Sequence, residues 1–256
     1  MGGSLRTLAR HLLGVTRTPT YYLPWLTLNG LECVLILNNV EVRFKPGENQ
    51  GPYPATVVQY DADGRVVRES AVMVTDTADA VELPLVPAGR GYGLVTVSTE
   101  RLRSDLYVTL ADGESYTATH GRGEFIETYP WRTRMLMALL GRLLASVGRT
   151  IPAFARDQYA YAGPDGRSHL LLLNLSDVVN RIRVAARRDG ALVAARLLAV
   201  PPRGASLLDV TTLAPAGDDA PVTLALHLEG NAWFNLYLIG AGPRDLAGSL
   251  SLMHVK

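Results

Sequence analysis

Cysteine occurs once, at Cys33, which excludes an intrachain disulfide framework and a cysteine-rich zinc site. Long apolar runs are missing too. "MLMALL" (Met135 to Leu140) falls far short of the roughly 20 residues that a membrane-spanning helix needs. No leader is expected at the N-terminus, where Arg6, Arg10, His11 and Arg17 break every apolar run and no A-x-A site follows. "MGGSLR" opens like a myristoylation site but carries Arg6 where Ser or Thr belongs. The formal charge is only +1, so the whole molecule has no strong pull on nucleic acid, and no nucleic-acid-binding motif accompanies it. The G-x-S-x-G nucleophile elbow, the phosphate-binding P-loop and the H-x-H and H-E-x-x-H metal patterns are all absent. What remains has an ordinary globular composition, 48% apolar and 19% charged over 256 residues. These absences lead us to expect a cytoplasmic protein without cofactor or metal, and without a nucleic-acid partner.

The most informative positive feature is internal similarity. "LARHLLGVTRT" (Leu8 to Thr18) and "LGRLLASVGRT" (Leu140 to Thr150) agree without a gap at Leu8/Leu140, Arg10/Arg142, Leu12/Leu144, Val15/Val147, Arg17/Arg149 and Thr18/Thr150. Further pairs follow in the same order. "VLILNN" (Val34 to Asn39) resembles "LLLLNL" (Leu170 to Leu175), and "VVQYDADGRVV" (Val57 to Val67) resembles "VAARRDGALV" (Val184 to Val193). "DLYVTL" (Asp105 to Leu110) resembles "NLYLIG" (Asn235 to Gly240), and "SYTATH" (Ser115 to His120) resembles "SLSLMH" (Ser249 to His254). Each match alone is weak; their collinearity points to a duplication, and two copies make tandem domains rather than a solenoid.

Each copy has the pattern of β-structure. Asp63-Gly64 and Asp189-Gly190 sit between alternating segments, the signal of a tight hairpin. Ile182, Val184 and Ala186 alternate with arginines before the second turn, and Ala191, Val193 and Ala195 follow it. Other strand candidates are Val81–Val86, Tyr92–Thr99, Val222–Leu228 and Trp233–Ile239. The expected fold is mainly β: two tandem antiparallel sandwiches, each preceded by a basic amphipathic helix. Residues 1–19 would form the first helix, 20–128 the first sandwich, 129–156 the second helix with its linker, and 157–256 the second sandwich.

The two helical segments share an electrostatic peculiarity. Arg6, Arg10 and Arg17 oppose Leu5, Leu8, Leu12 and Val15 on a helical wheel, as Arg134, Arg142 and Arg149 oppose Leu136, Leu140, Leu143 and Val147. No acidic residue occurs before Glu32, or between Glu127 and Asp157. Core burial is the ordinary use of a leucine face, against the helix's own sandwich or against the other helix. A wet face that is cationic throughout adds another use, contact with an anionic membrane or an acidic partner, with Trp25 and Trp131 as interfacial aromatics. Thr18-Pro19 and Ile151-Pro152 would end both helices.

Few side chains point to chemistry. His120 and His254 close matching segments, so each is a candidate ligand contact or general base as well as a plain strand-end histidine. His169 and His227 fall inside strand candidates and read as structural. Cys33, beside "VLIL", reads as a small buried hydrophobe. Tyr53, Tyr60, Tyr159, Tyr161 and Trp233 could stack on a sugar. Tyr53 leads this group because "KPGENQGPYP" reads as an exposed loop with nothing to bury.

The run Leu170–Val210, "LLLLNLSDVVNRIRVAARRDG" continuing to "LLAVPPRGASLLDV", resembles small Ig-like sandwich modules. The cytoplasmic transducer that partners bacterial sensory rhodopsin is one such family. The resemblance implies an oligomerising, non-catalytic module with a carbohydrate-binding-like fold, and carries no functional residue across. The first half departs from it at "NNVEVRF", which lacks the Ser-Asp. The function expected is a non-catalytic binding or scaffolding protein that meets a protein partner, a second copy or an anionic membrane surface. Its alternatives are a carbohydrate-binding module and a hydrolase using the strand-end histidines.

Overall fold

The structure, a computed structural model, describes residues 13–38, 52–75, 80–99, 106–113, 116–163, 166–214, 221–241 and 251–254. It is mainly β, with several antiparallel sheets. The first half contains β1 (Thr16–Leu26), β2 (Glu32–Leu37), β3 (Tyr53–Asp61), β4 (Val66–Val74), β5 (Val81–Pro84), β6 (Tyr92–Ser98), β7 (Leu106–Ala111), β8 (Tyr116–His120) and β9 (Arg122–Thr128). Helix α1 (Trp131–Ala145) follows. The second half contains β10 (Phe154–Gly163), β11 (Gly166–Asn174), β12 (Asn180–Arg188), β13 (Ala191–Val200), β14 (Ala205–Asp209), β15 (Val222–Gly230), β16 (Phe234–Ala241) and β17 (Ser251–His254).

The strand order runs β4-β3-β6-β1-β9 in one sheet of the first half and β5-β2-β7-β8 in the other. In the second half it runs β13-β12-β15-β10, then around the β10–β11 corner into β11-β16-β17, with β14 on the free edge of β11. Taken strand by strand, β10 to β17 therefore repeat the pairings of β1 to β8. Details repeat as well. Both Asp-Gly hairpins carry a register shift just before the turn, at Gln59/Tyr60 and at Ala186/Arg187. Tyr107 faces His120 across β7 and β8, and Tyr237 faces His254 across β16 and β17. Strand β9 has no counterpart among the described residues of the second half.

The bulge at Ala186/Arg187 explains a departure from simple alternation. Ile182, Val184 and Ala186 point into the core, but the shift puts Ala191 and Ala195 in water, and Val193, Ala194 and Leu198 pack instead.

Two cores result, and they share a wall. Leu170, Leu172, Leu236 and Leu238 face the second core with Ile182, Val184 and Leu228. Their alternates Leu171, Leu173, Tyr237 and Ile239 join the first core, with Tyr22, Trp25 and Leu94. The β11–β16 pair is thus buried on both faces, which is why "LLLLNL" is continuously apolar rather than alternating. The halves also interlock through two turns. A Cβ on Gly64 would lie 1.9 Å from the carbonyl oxygen of Pro202, and the Ala205 amide donates to the Ala62 carbonyl at 3.0 Å.

The helix expected over residues 1–19 is not what the described part of that segment forms. Residues 1–12, with Arg6 and Arg10, lie outside the described residues. From Leu13 the chain turns at Gly14 (φ +64°) and enters β1 at Thr16, so Arg17 is a strand residue. Threonines at 16, 18 and 20 favour an extended backbone, and Thr16–Tyr22 pair with Arg122–Thr128 of β9. The second helix does form, but it ends ahead of Pro152. Gly148 (φ +69°) takes the left-handed conformation that closes the last turn, and the Arg149 amide donates to the Leu144 carbonyl at 2.9 Å.

Candidate functional site

Helix α1 is held by its polar side to both halves, at Leu13 in the first and at Asp177 in the second. Thr133 Oγ1 donates to the Leu13 carbonyl at 2.9 Å, and Arg134 lies 3.5 Å from Asp177. Just past the helix, Thr150 Oγ1 donates to the Arg181 carbonyl at 2.6 Å. The buried helix residues are Thr133 and Gly141, and a Cβ on Gly141 would meet the Arg181 guanidinium at 2.8 Å. Thr133 and Gly141 therefore make the closest contact, with Met137 packed beside them on the cluster of Tyr129, Val178 and Ala232.

The leucines point the other way. Trp131, Met135, Leu139 and Leu143 are 65–68% exposed, as is Val147 just beyond the helix at 67%; Leu136 and Leu140 are 48% and 39% exposed. These positions span about half of the helix circumference at 100° per residue. Arg132 and Arg142 sit on the same half, both exposed, and Arg132 lies over the Trp131 ring at 5.4 Å. The expectation of a leucine face packed on the helix's own sandwich is not met, and the alternative, pairing with the segment over residues 1–12, lies outside the described residues. Seven exposed large apolar side chains, Trp131, Met135, Leu136, Leu139, Leu140, Leu143 and Val147, are thus gathered on or just beyond this one helix.

The predicted cationic residues separate into groups. Arg17 is turned inward: its Nη2 and Nε donate to Glu127 Oε1 at 2.9 and 3.2 Å, and its guanidinium lies 3.6 Å from the Phe125 ring centre. Glu127 is fully buried and also accepts from the Tyr129 hydroxyl at 2.6 Å. Arg17 is therefore part of the joint between the halves, not of a free cationic face. Arg134 is tied to Asp177, whereas Arg142 and Arg149 are exposed with no carboxylate partner among the described residues.

Residues that sequence reasoning passed over complete this joint. Arg203, in the left-handed region at φ 57°, donates to the carbonyls of Leu175 (2.8 Å) and Glu127 (3.1 Å). Burial lowers its pKa, against the opposing pull of Tyr60, Asp177 and Glu127. Asn174 is fully buried and donates to the carbonyls of Val178, Val200 and Pro201, while its own oxygen accepts from the Ser176 amide and hydroxyl. The "NLSD" segment is thus a buried Asx-type turn, closed by the Ser176 amide on the Asn174 side-chain oxygen.

The tyrosine and histidine candidates do not converge. Tyr53 is the first residue of β3 and only 3% exposed, in phase with Ala55 and Val57 on the inward face. That corrects its reading as an exposed loop residue; the alternation of Tyr53, Ala55 and Val57 was the available signal. It does line a cleft of about 610 Å³ with Pro19, Pro54 and Thr56. Tyr60 is half-buried against the first core. His120 is exposed and its ring lies 4.4 Å from that of Tyr107, at 49°. His254 ends β17, and its side chain lies outside what the structure describes. His227, read as structural, lies inside β15 and bonds Asp157 of the neighbouring strand through Nδ1 at 2.6 Å, beside exposed Tyr159. Cys33 is buried, and burial pushes its thiol up to about 12.

Two hollows flank α1. One, about 310 Å³, lies between the helix and the second sandwich and is lined mainly by apolar residues, among them Val15, Leu136, Leu140, Ile151 and Phe154. The other, about 680 Å³, shares Ile151 and Pro152 with it and carries Arg149, Arg183 and Glu229. Among the described residues, no helix is long and apolar enough to cross a membrane, and no cluster of histidine, cysteine or carboxylate ligands could hold a metal.

No protein-family model matches the chain, and neither does any curated protein. Among solved structures, it is similar to the infectious bursal disease virus VP2 subviral particle, at a TM-score of 0.20 and 12% sequence identity. That similarity covers 92% of this chain and 63% of the viral one, so the chain spans less than two thirds of its length. At that score the likeness says nothing about fold or activity.

Proposed function

We propose that the chain is a non-catalytic scaffolding protein, made by doubling one sandwich unit, that docks on an anionic membrane surface through the outward face of α1. A cytoplasmic, peripheral location follows from that reading. The repeated strand order, the matching hairpin bulges and the two Tyr–His registers support the doubling. The observation that carries the docking is the half-circumference of α1 left uncovered, with Leu139, Leu143 and Met135 at its centre. A leucine moved fully from water into hydrocarbon contributes about 1.5–3 kcal/mol, and an arginine near an anionic surface about 1 kcal/mol. Arg132 and Arg142 are placed for the second term, with no acidic residue between Glu127 and Asp157 to oppose it.

The test is co-sedimentation with phosphatidylserine-containing vesicles. Binding should be strong at low salt, weaken as salt rises, and disappear in the Leu139→Glu/Leu143→Glu variant. Absence of binding at low salt overturns the proposal. So does a concentration-dependent dimer that the same variant abolishes without any vesicle binding, because a second copy would then cover the face.

A second reading has one observation in its favour. Tyr159, 70% exposed, lines a cleft of about 430 Å³ with Asp157, Gln158, Arg187 and His227, the mix of ring and polar groups that suits a sugar. A glycan array whose hits survive Tyr159→Ala, or that has none, removes it.

A further inference from the structure

The two hollows beside α1 differ in chemistry and share a wall. The smaller is apolar on nearly every side. Its polar lining groups are already engaged: the Tyr129 hydroxyl donates to Glu127, and Asn231 accepts from the Arg181 amide and donates to the Val179 carbonyl. A hollow of this kind has little to offer water and takes aliphatic or aromatic groups instead. The larger one, reached past Ile151 and Pro152, presents Arg149 and Arg183. Arg183 is loosely paired with Glu229 at 3.9 Å, which leaves Arg149 as the cation of this cleft without a carboxylate among the described residues. An apolar hollow and a cationic cleft that meet at Ile151 and Pro152 are together complementary to one type of molecule, a long tail with a single negative head.

We propose that this pair of hollows binds one single-chain anionic amphiphile, with its aliphatic tail between α1 and the second sandwich and its carboxylate or phosphate head at Arg149. The site is distinct from the outward face of α1, although Leu136 and Leu140 border both. A free fatty acid and a single-chain lysophospholipid share this chemistry, and the experiment separates them.

The full chain is titrated calorimetrically with decanoate and dodecanoate, each below its micelle concentration and without vesicles. One saturable site is expected, with affinity rising about fourfold per added methylene. Arg149→Gln should weaken dodecanoate while leaving uncharged dodecanol unaffected. Ala153→Leu and Val15→Phe fill the apolar hollow from two different walls and should each remove the tail-length dependence. Neither touches the outward face, so both should still bind anionic vesicles if the docking proposal holds. Displacement of bound dodecanoate by lysophosphatidate below its micelle concentration would name a lysophospholipid as the source, and dodecanoate left in place would name a free fatty acid. Absence of a saturable site overturns the proposal, as does an affinity indifferent to tail length. Undiminished binding in both filled variants, with melting curves showing them folded, does so equally.

Discussion

Replacing Glu127 by alanine should cost the protein about 3 kcal/mol, the lower part of the 3–5 kcal/mol range for removing one partner of a buried ion pair. Three donor contacts set this figure: two from Arg17 and one from the Tyr129 hydroxyl. The carboxylate is fully buried, but the Arg17 side chain is 32% exposed. Water can therefore rehydrate part of the stranded guanidinium, which places the cost at the low end. For a chain of this size about 3 kcal/mol corresponds to a fall in Tm of roughly 6–12 °C, measurable by scanning calorimetry. The partner experiment replaces both members, Arg17→Met with Glu127→Leu. Removing two charges together leaves none uncompensated, so the double variant should lie within about 1 kcal/mol of the parent. A single Glu127→Ala that melts within about 1 °C of the parent would refute this account of the joint. A double variant less stable than the single one would do the same.

Three further outcomes follow from two other buried groups. Asn174→Ala leaves three carbonyls and the Ser176 hydroxyl to find new partners, and urea unfolding should show a loss of about 2–4 kcal/mol. Cys33 should be inert to a thiol reagent in the native protein at pH 8 and react at once in denaturant. Because its folded pKa is raised to about 12 from 9.0, its contribution to stability is complete below pH 9 and is lost as the pH climbs towards 12. A parent protein whose alkaline unfolding matches that of Cys33→Ala would contradict it.

Local chemistry made much of the architecture legible. The Asp-Gly hairpins and the strands at Tyr92–Ser98, Val222–Gly230 and Phe234–Ala241 stand where alternation and turn residues put them. What could not be read depended on distant partners. Arg17 looks like a helix-face arginine until Glu127, far along the chain, pairs with it across β1 and β9. The leucines of α1 have the spacing of a core face, and only the contacts of Thr133 and Gly141 reveal that the helix is turned outward. Tyr53 is the opposite case: its alternation with Ala55 and Val57 was visible, but the prolines around it masked the strand. His227 and Asp157 are neighbours only because β10 pairs with β15.

The wall shared by the two cores has a bearing on how such a chain could be dissected. Cutting it near Pro152 would release a fragment whose Leu171, Leu173, Tyr237 and Ile239 form a greasy, solvent-facing plane, a strong invitation to aggregate. Each half serves as the other's cover, so a separated half would need some other molecule in that place to stay in solution.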